Sequence, residues 1–123
     1  MAANKTENFG PVTLSTVLTT NIVAPAAAGA SAVGYTATAT YILIQHIHIS
    51  NRTGTAATVT LYKGATGANL AGTDLFVGLS VAANNVYDWY GKLRLEGTNG
   101  FIVGGSGTLN ALTFEAEGEV GLV

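Results

Sequence analysis

Residues 86–96 alternate apolar and polar side chains with a period of two, and this alternation limits what the chain can fold into more than any other feature. Successive side chains of a strand point to opposite faces. Tyr87, Trp89, Leu93 and Leu95 therefore share one face, with Gly91 between them, and Asp88, Tyr90, Lys92, Arg94 and Glu96 share the other. A slip of one residue would bury the charged set, so the facing is strongly specified. The same period recurs in residues 112–120, where Phe114, Ala116 and Val120 oppose Glu115, Glu117 and Glu119.

Further strands are predicted over residues 12–20, 33–37, 41–51, 57–63 and 74–82. In the first, Val12, Leu14 and Leu18 stand against Thr13, Ser15 and Thr19. In residues 41–51, Leu43, Ile47 and Ile49 are assigned to the buried face, which puts Ile42 and Ile44 beside His46 and His48 on the other. Leu75, Val77, Leu79 and Val81 are expected to share a side. Turns are expected at Thr53-Gly54-Thr55, over residues 64–69, and at Gly104-Gly105-Ser106-Gly107. Asn99-Gly100 is a strong hairpin signal, because both residues tolerate positive φ. Residues 25–32, rich in alanine with no helical caps, read as a loop. About eight short strands with turns roughly every ten residues predict an all-β fold, an antiparallel β-sandwich of jelly-roll type, with a closed barrel as the alternative. Residues 1–11 are expected to form an N-terminal arm and residues 12–123 a single domain.

Composition turns this fold toward assembly. Charged residues make up 10% of the chain and the mean hydropathy is +0.38, whereas an average soluble domain carries about a quarter charged residues. Weakly charged surfaces tend to associate. A net charge of -2, with Lys5, Arg52 and Lys63 scattered and only Lys92 and Arg94 close together, provides no basic stripe for nucleic acid. No apolar run approaches the roughly 18 residues of a membrane helix. The polar start, with no signal peptide, and the absence of cysteine fit assembly in a reducing cytoplasm.

Few residues suggest chemistry. His46 and His48, two apart on one strand face, could share a metal, but two ligands do not make a site and no carboxylate is near them in sequence. The expectation is no metal and no cofactor. Glu115, Glu117 and Glu119 line one face, where like charges discourage edge pairing and where Lys92 and Arg94 could lie opposite. Ser106 lacks the final glycine and the helix of a nucleophile elbow, and Gly64-Ala65-Thr66-Gly67 lacks the lysine of a phosphate loop. No enzymatic activity is expected. Asn4-Lys5-Thr6 and Asn51-Arg52-Thr53 match the glycosylation sequon, which matters only in a secreted chain. Tyr62 and Tyr90 are the aromatic candidates for a sugar platform.

Residues 33–51 and 57–62, then Trp89-Tyr90-Gly91-Lys92-Leu93-Arg94-Leu95, Phe101-Ile102-Val103 and Leu112-Thr113-Phe114-Glu115-Ala116-Glu117 follow in an order that resembles small β-sandwich virion proteins of tailed bacteriophages. These include capsid decoration (cement) proteins and related head or tail accessory proteins. The resemblance implies a homotrimer at local threefold positions of the major capsid protein lattice, which it reinforces. It implies a place on the virion surface, with no nucleic-acid or membrane partner, and an N-terminal arm touching the shell. Interface candidates are Ile42, Ile44, His46, His48, Phe9 and Pro11. The alternatives are a tail or fibre module binding glycans like a lectin, and a head–tail connector or tail-tube subunit.

Overall fold

Residues 5–17, 21–23, 39–63, 74–96 and 101–122 are described by the computed structural model of the chain. They form strands β1 (Lys5–Thr13), β2 (Asn21–Val23), β3 (Ala39–Asn51), β4 (Ala57–Lys63), β5 (Asp74–Val81), β6 (Asn85–Glu96), β7 (Ile102–Ser106) and β8 (Leu112–Leu122). One sheet has the order β1-β8-β3-β6 and the other β2-β7-β4-β5, with every pairing antiparallel. The pairs β1–β8, β2–β7, β3–β6 and β4–β5 are nested like the rungs of one long hairpin. Rolling that hairpin brings β8 beside β3 and β7 beside β4, the strand order of a jelly roll. Among the described residues, no helix is long and apolar enough to cross a membrane.

The core lies between the sheets. Ile42, Ile44, Ile47, Ile49, Phe114, Ala116 and Leu95 enter it from one side, and Val59, Leu61, Val81 and Ile102 from the other. Trp89, Tyr87 and Leu93 pack against this cluster, as their alternation predicts. The Asn99-Gly100 turn, the strand at 33–37, the loop at 25–32 and the turn at 64–69 lie outside the described residues.

Four expectations are corrected, three of them because a bulge changes the phase of a strand. In β3, Ile44 pairs with Gly118 and His46 with the adjacent Glu117, so Gln45 is the extra residue. Alternation restarts after it, as happens wherever two residues oppose one. Ile42 and Ile44 therefore face the core, fully buried, on the same side as Ile47 and Ile49, and Leu43 turns outward with the histidines. Neither isoleucine can serve as an exposed interface residue. A Cβ on Gly118 would overlap the Leu43 carbonyl oxygen, so glycine is what lets β8 lie this close to β3 beside the bulge.

The second correction concerns the N-terminal arm. Residues 5–13 are an edge strand of the first sheet, paired along β8, and Phe9 is fully buried in the core. The register shifts between Phe9 and Val12, where Gly10 (φ 106) and Pro11 oppose Glu115 alone. A Cβ on Gly10 would stand 2.9 Å from the Phe114 carbonyl oxygen, so this turn also requires glycine. The bulge lets Phe9 and Leu14, an odd number of residues apart, both point inward. Of the two arm candidates for an interface, only Pro11 is exposed.

The other two corrections are local. In β5 the register shifts opposite Thr60, and Val77 is 68% exposed while Phe76 packs on the core. Gly104, Gly105 and Ser106 are buried strand residues of β7 and form no turn. The Ser106 hydroxyl accepts a bond from the Thr108 N–H (3.1 Å).

Candidate functional site

Among the described residues, a cluster of titratable side chains stands on the outer face of the first sheet. The bulge at Gln45 turns His46 and His48 outward together. His48 lies opposite Asp88 of β6 and Glu115 of β8, and His46 opposite Tyr90 and Glu117. Residues from 40 to 71 positions apart in the chain thus become a cluster.

Asp88 is its centre. Its Oδ1 lies 2.7 Å from His46 Nε2 and 2.6 Å from His48 Nδ1. On the other side of the ring, His46 Nδ1 is 3.1 Å from Glu117 Oε1. A carboxylate only accepts hydrogen bonds, so an imidazole held between two of them donates from both nitrogens and is the imidazolium. Tyr90, 73% exposed, stacks on the His46 ring at 4.5 Å and fixes its plane. The face continues to Tyr41, whose hydroxyl donates to Glu119 Oε1 (2.9 Å) and whose ring lies 4.1 Å beneath the Arg94 guanidinium.

The electrostatics follow from this geometry. Desolvation pulls His46 down, but its hydrogen bonds to Asp88 and Glu117, together with their negative charges, outweigh it and raise its pKa above the ordinary 6.5. The bond from His48, then that from His46, holds Asp88 below the ordinary 3.8. A raised histidine stabilises the fold fully below 6.5 and loses that contribution as pH climbs through its folded-state pKa. A lowered aspartate stabilises above 3.8 and loses its contribution as pH falls through its folded-state pKa. Both contributions coincide between these two ordinary values. In buffer containing a chelator, the difference in melting temperature between the parent and Asp88→Asn is therefore expected to be largest near pH 5 and to shrink toward pH 9. A difference that instead grows with pH would contradict this arrangement.

Of the residues singled out from sequence, His46 and His48 are brought together, and Asp88 and Glu117 complete a group that local sequence does not reveal. His46, His48 and Asp88 offer three ligand atoms within 4.8 Å of one another, the set that could hold a metal ion. Lys92 and Arg94 do not lie on a strand next to the glutamates, since β3 runs between β6 and β8. Tyr62 is buried at 4% exposure, which leaves Tyr90 as the accessible member of the aromatic pair. Asn51 of the second sequon is 2% exposed and its amide is fully engaged, so it is a structural residue, and Asn4 lies outside the described residues. No protein-family model matches the chain, and no curated protein sequence matches it.

Proposed function

We propose that this chain is a structural virion protein of a tailed bacteriophage, a capsid decoration protein that seats on the outer shell as a homotrimer and stabilises it. Assembly would take place in the cytoplasm of the bacterial host. The observation that supports this reading is the contrast between the two outer faces. The first sheet carries Asp88, Lys92, Arg94, Glu115, Glu117 and Glu119 outward, whereas Thr58, Thr60, Val77 and Ser80 along β4 and β5 are uncharged and the charges of that strand pair, Lys63 and Asp74, stand at one end of it. A neutral β surface loses little hydration on contact, while a charged one favours water.

Further apolar exposure lies at one end, where Asn110 N–H donates to the Leu14 carbonyl: Val17 is 51% exposed and Leu109 59%. Burying such side chains at each contact yields modest binding, which repetition around a symmetry axis and over a lattice multiplies. Cyclic closure reuses one patch without producing open filaments. The jelly roll is also the fold of lectin domains, so fold alone does not choose between a shell protein and a glycan-binding module.

The test is co-sedimentation with purified, expanded, DNA-free phage heads. Saturable binding at threefold positions, accompanied by a higher temperature of head disruption, is the expected result. Retention on a glycan array without head binding would replace this reading with the tail or fibre module.

A further inference from the structure

The geometry points to a divalent transition-metal site on the outer face of the first sheet, with His46 Nε2, His48 Nδ1 and Asp88 Oδ1 as ligands and Glu117 as the partner that orients His46. This goes beyond the proposed role in a capsid and does not depend on it.

Three observations carry the site. The ligand set is two imidazoles and one carboxylate, the donor mixture that suits Zn²⁺ and its first-row neighbours and suits Ca²⁺ or Mg²⁺ poorly. The three donor atoms already converge within 4.8 Å, on adjacent strands of a sheet that hold them without a mobile loop. An ion about 2.0–2.1 Å from each nitrogen and oxygen needs only a small separation of atoms now 2.6–2.7 Å apart. The far nitrogen of His46 is the third observation. Metal-bound histidines nearly always donate their other N–H to a carboxylate or carbonyl, and His46 Nδ1 already faces Glu117 Oε1 at 3.1 Å. Tyr90 stacked on the ring adds a second constraint on its orientation.

Coordination exchanges protons in a defined way. The metal replaces the Nε2 proton of His46, which leaves to solvent, while the Nδ1 proton stays on the bond to Glu117. His48, whose Nδ1–H faces Asp88 in the metal-free protein, gives up that proton to solvent, binds through Nδ1 and carries its remaining proton on Nε2. Asp88 gives up accepting two hydrogen bonds and binds the ion instead. With side-chain exposures of 20%, 35% and 31% for His46, His48 and Asp88, the remaining coordination positions open to water.

The chain has two histidines and no cysteine, so imidazole ligation can come only from these two rings and thiolate ligation from none. Titration of the metal-stripped protein with ZnCl₂ by calorimetry is expected to saturate at one ion per chain. Co²⁺ in its place should produce visible d–d absorption that Zn²⁺ abolishes. His48→Ala and Asp88→Asn should both eliminate the saturable transition, and Glu117→Gln should weaken it by about 10-fold while leaving one ion bound. Circular dichroism of each metal-free variant confirms that it is folded, and the exposed Asp88→Asn keeps the test intact if a histidine variant is not. Zinc binding of unchanged affinity in both His48→Ala and Asp88→Asn, or no saturable binding by the parent at pH 7.5, overturns the site.

Discussion

Phe114→Ala is expected to destabilise the protein by about 3–5 kcal/mol, a large share of the roughly 5–15 kcal/mol that holds a domain of this kind together. Phe114 is fully buried near the start of β8, with Val12 of β1 and Ile49 of β3 as its neighbours across the two ladders. Removing its ring opens a cavity where three strands meet. β8 is itself held on both sides by backbone pairing, so it cannot collapse to fill that space. Urea denaturation should show a lower midpoint with an unchanged slope, the signature of lost stability without a change in the denatured state. A loss under about 1 kcal/mol would mean that the sheets do not meet at Phe114 as described.

Asn51→Asp should be as severe, for a different reason. The Asn51 amide donates to the carbonyl oxygens of Thr55 (2.9 Å) and Val81 (3.0 Å). Its own oxygen accepts from the Thr53 N–H (2.9 Å) and hydroxyl (2.7 Å). One side chain thus ties the end of β3, the turn after it and the end of β5. Aspartate is nearly the same shape, but it sets a buried negative charge against two carbonyl oxygens and removes both donors. The expected loss at neutral pH is about 3–5 kcal/mol, the scale of an uncompensated buried charge. It should shrink as pH falls, because protonating the carboxyl removes the charge and restores one donor. A loss that is small, or independent of pH between 4 and 8, would contradict the buried, fully bonded environment of Asn51.

These two residues also show what could be read from the chain beforehand. Phe114 was legible, since β8 and β6 alternate without interruption and their faces are as the sequence predicts. Asn51 was not, because a sequon and a buried staple look alike until burial is known. β3 misled for a physical reason. Its two isoleucine pairs have opposite parity, Ile42 and Ile44 against Ile47 and Ile49, and only an extra residue at Gln45 puts both in the core. That change of parity is itself a signal of a bulge. In β1 a lone Phe9 in a polar stretch gave little periodicity to work with, and the bulge at Gly10 and Pro11 hid its link to Leu14. Removing residues 1–10 would therefore strip most of an edge strand and a core side chain.

The candidate site was half visible. A spacing of two placed His46 and His48 on one face, and alternation placed Asp88 and Glu117 on outward faces of their own strands. Which strand lies beside which is a property of the rolled hairpin, with Asp88 and His48 paired across 40 residues. Nothing local encodes that adjacency.

The role in assembly stands or falls on the mass of the purified protein in solution. Light scattering across a dilution series should give three times the chain mass of 12.5 kDa, maintained into the low micromolar range. A mass of 12.5 kDa at every concentration would contradict it, because a monomer would leave the uncharged stretch of β4 and β5 around Thr58, Thr60, Val77 and Ser80 without a symmetric partner.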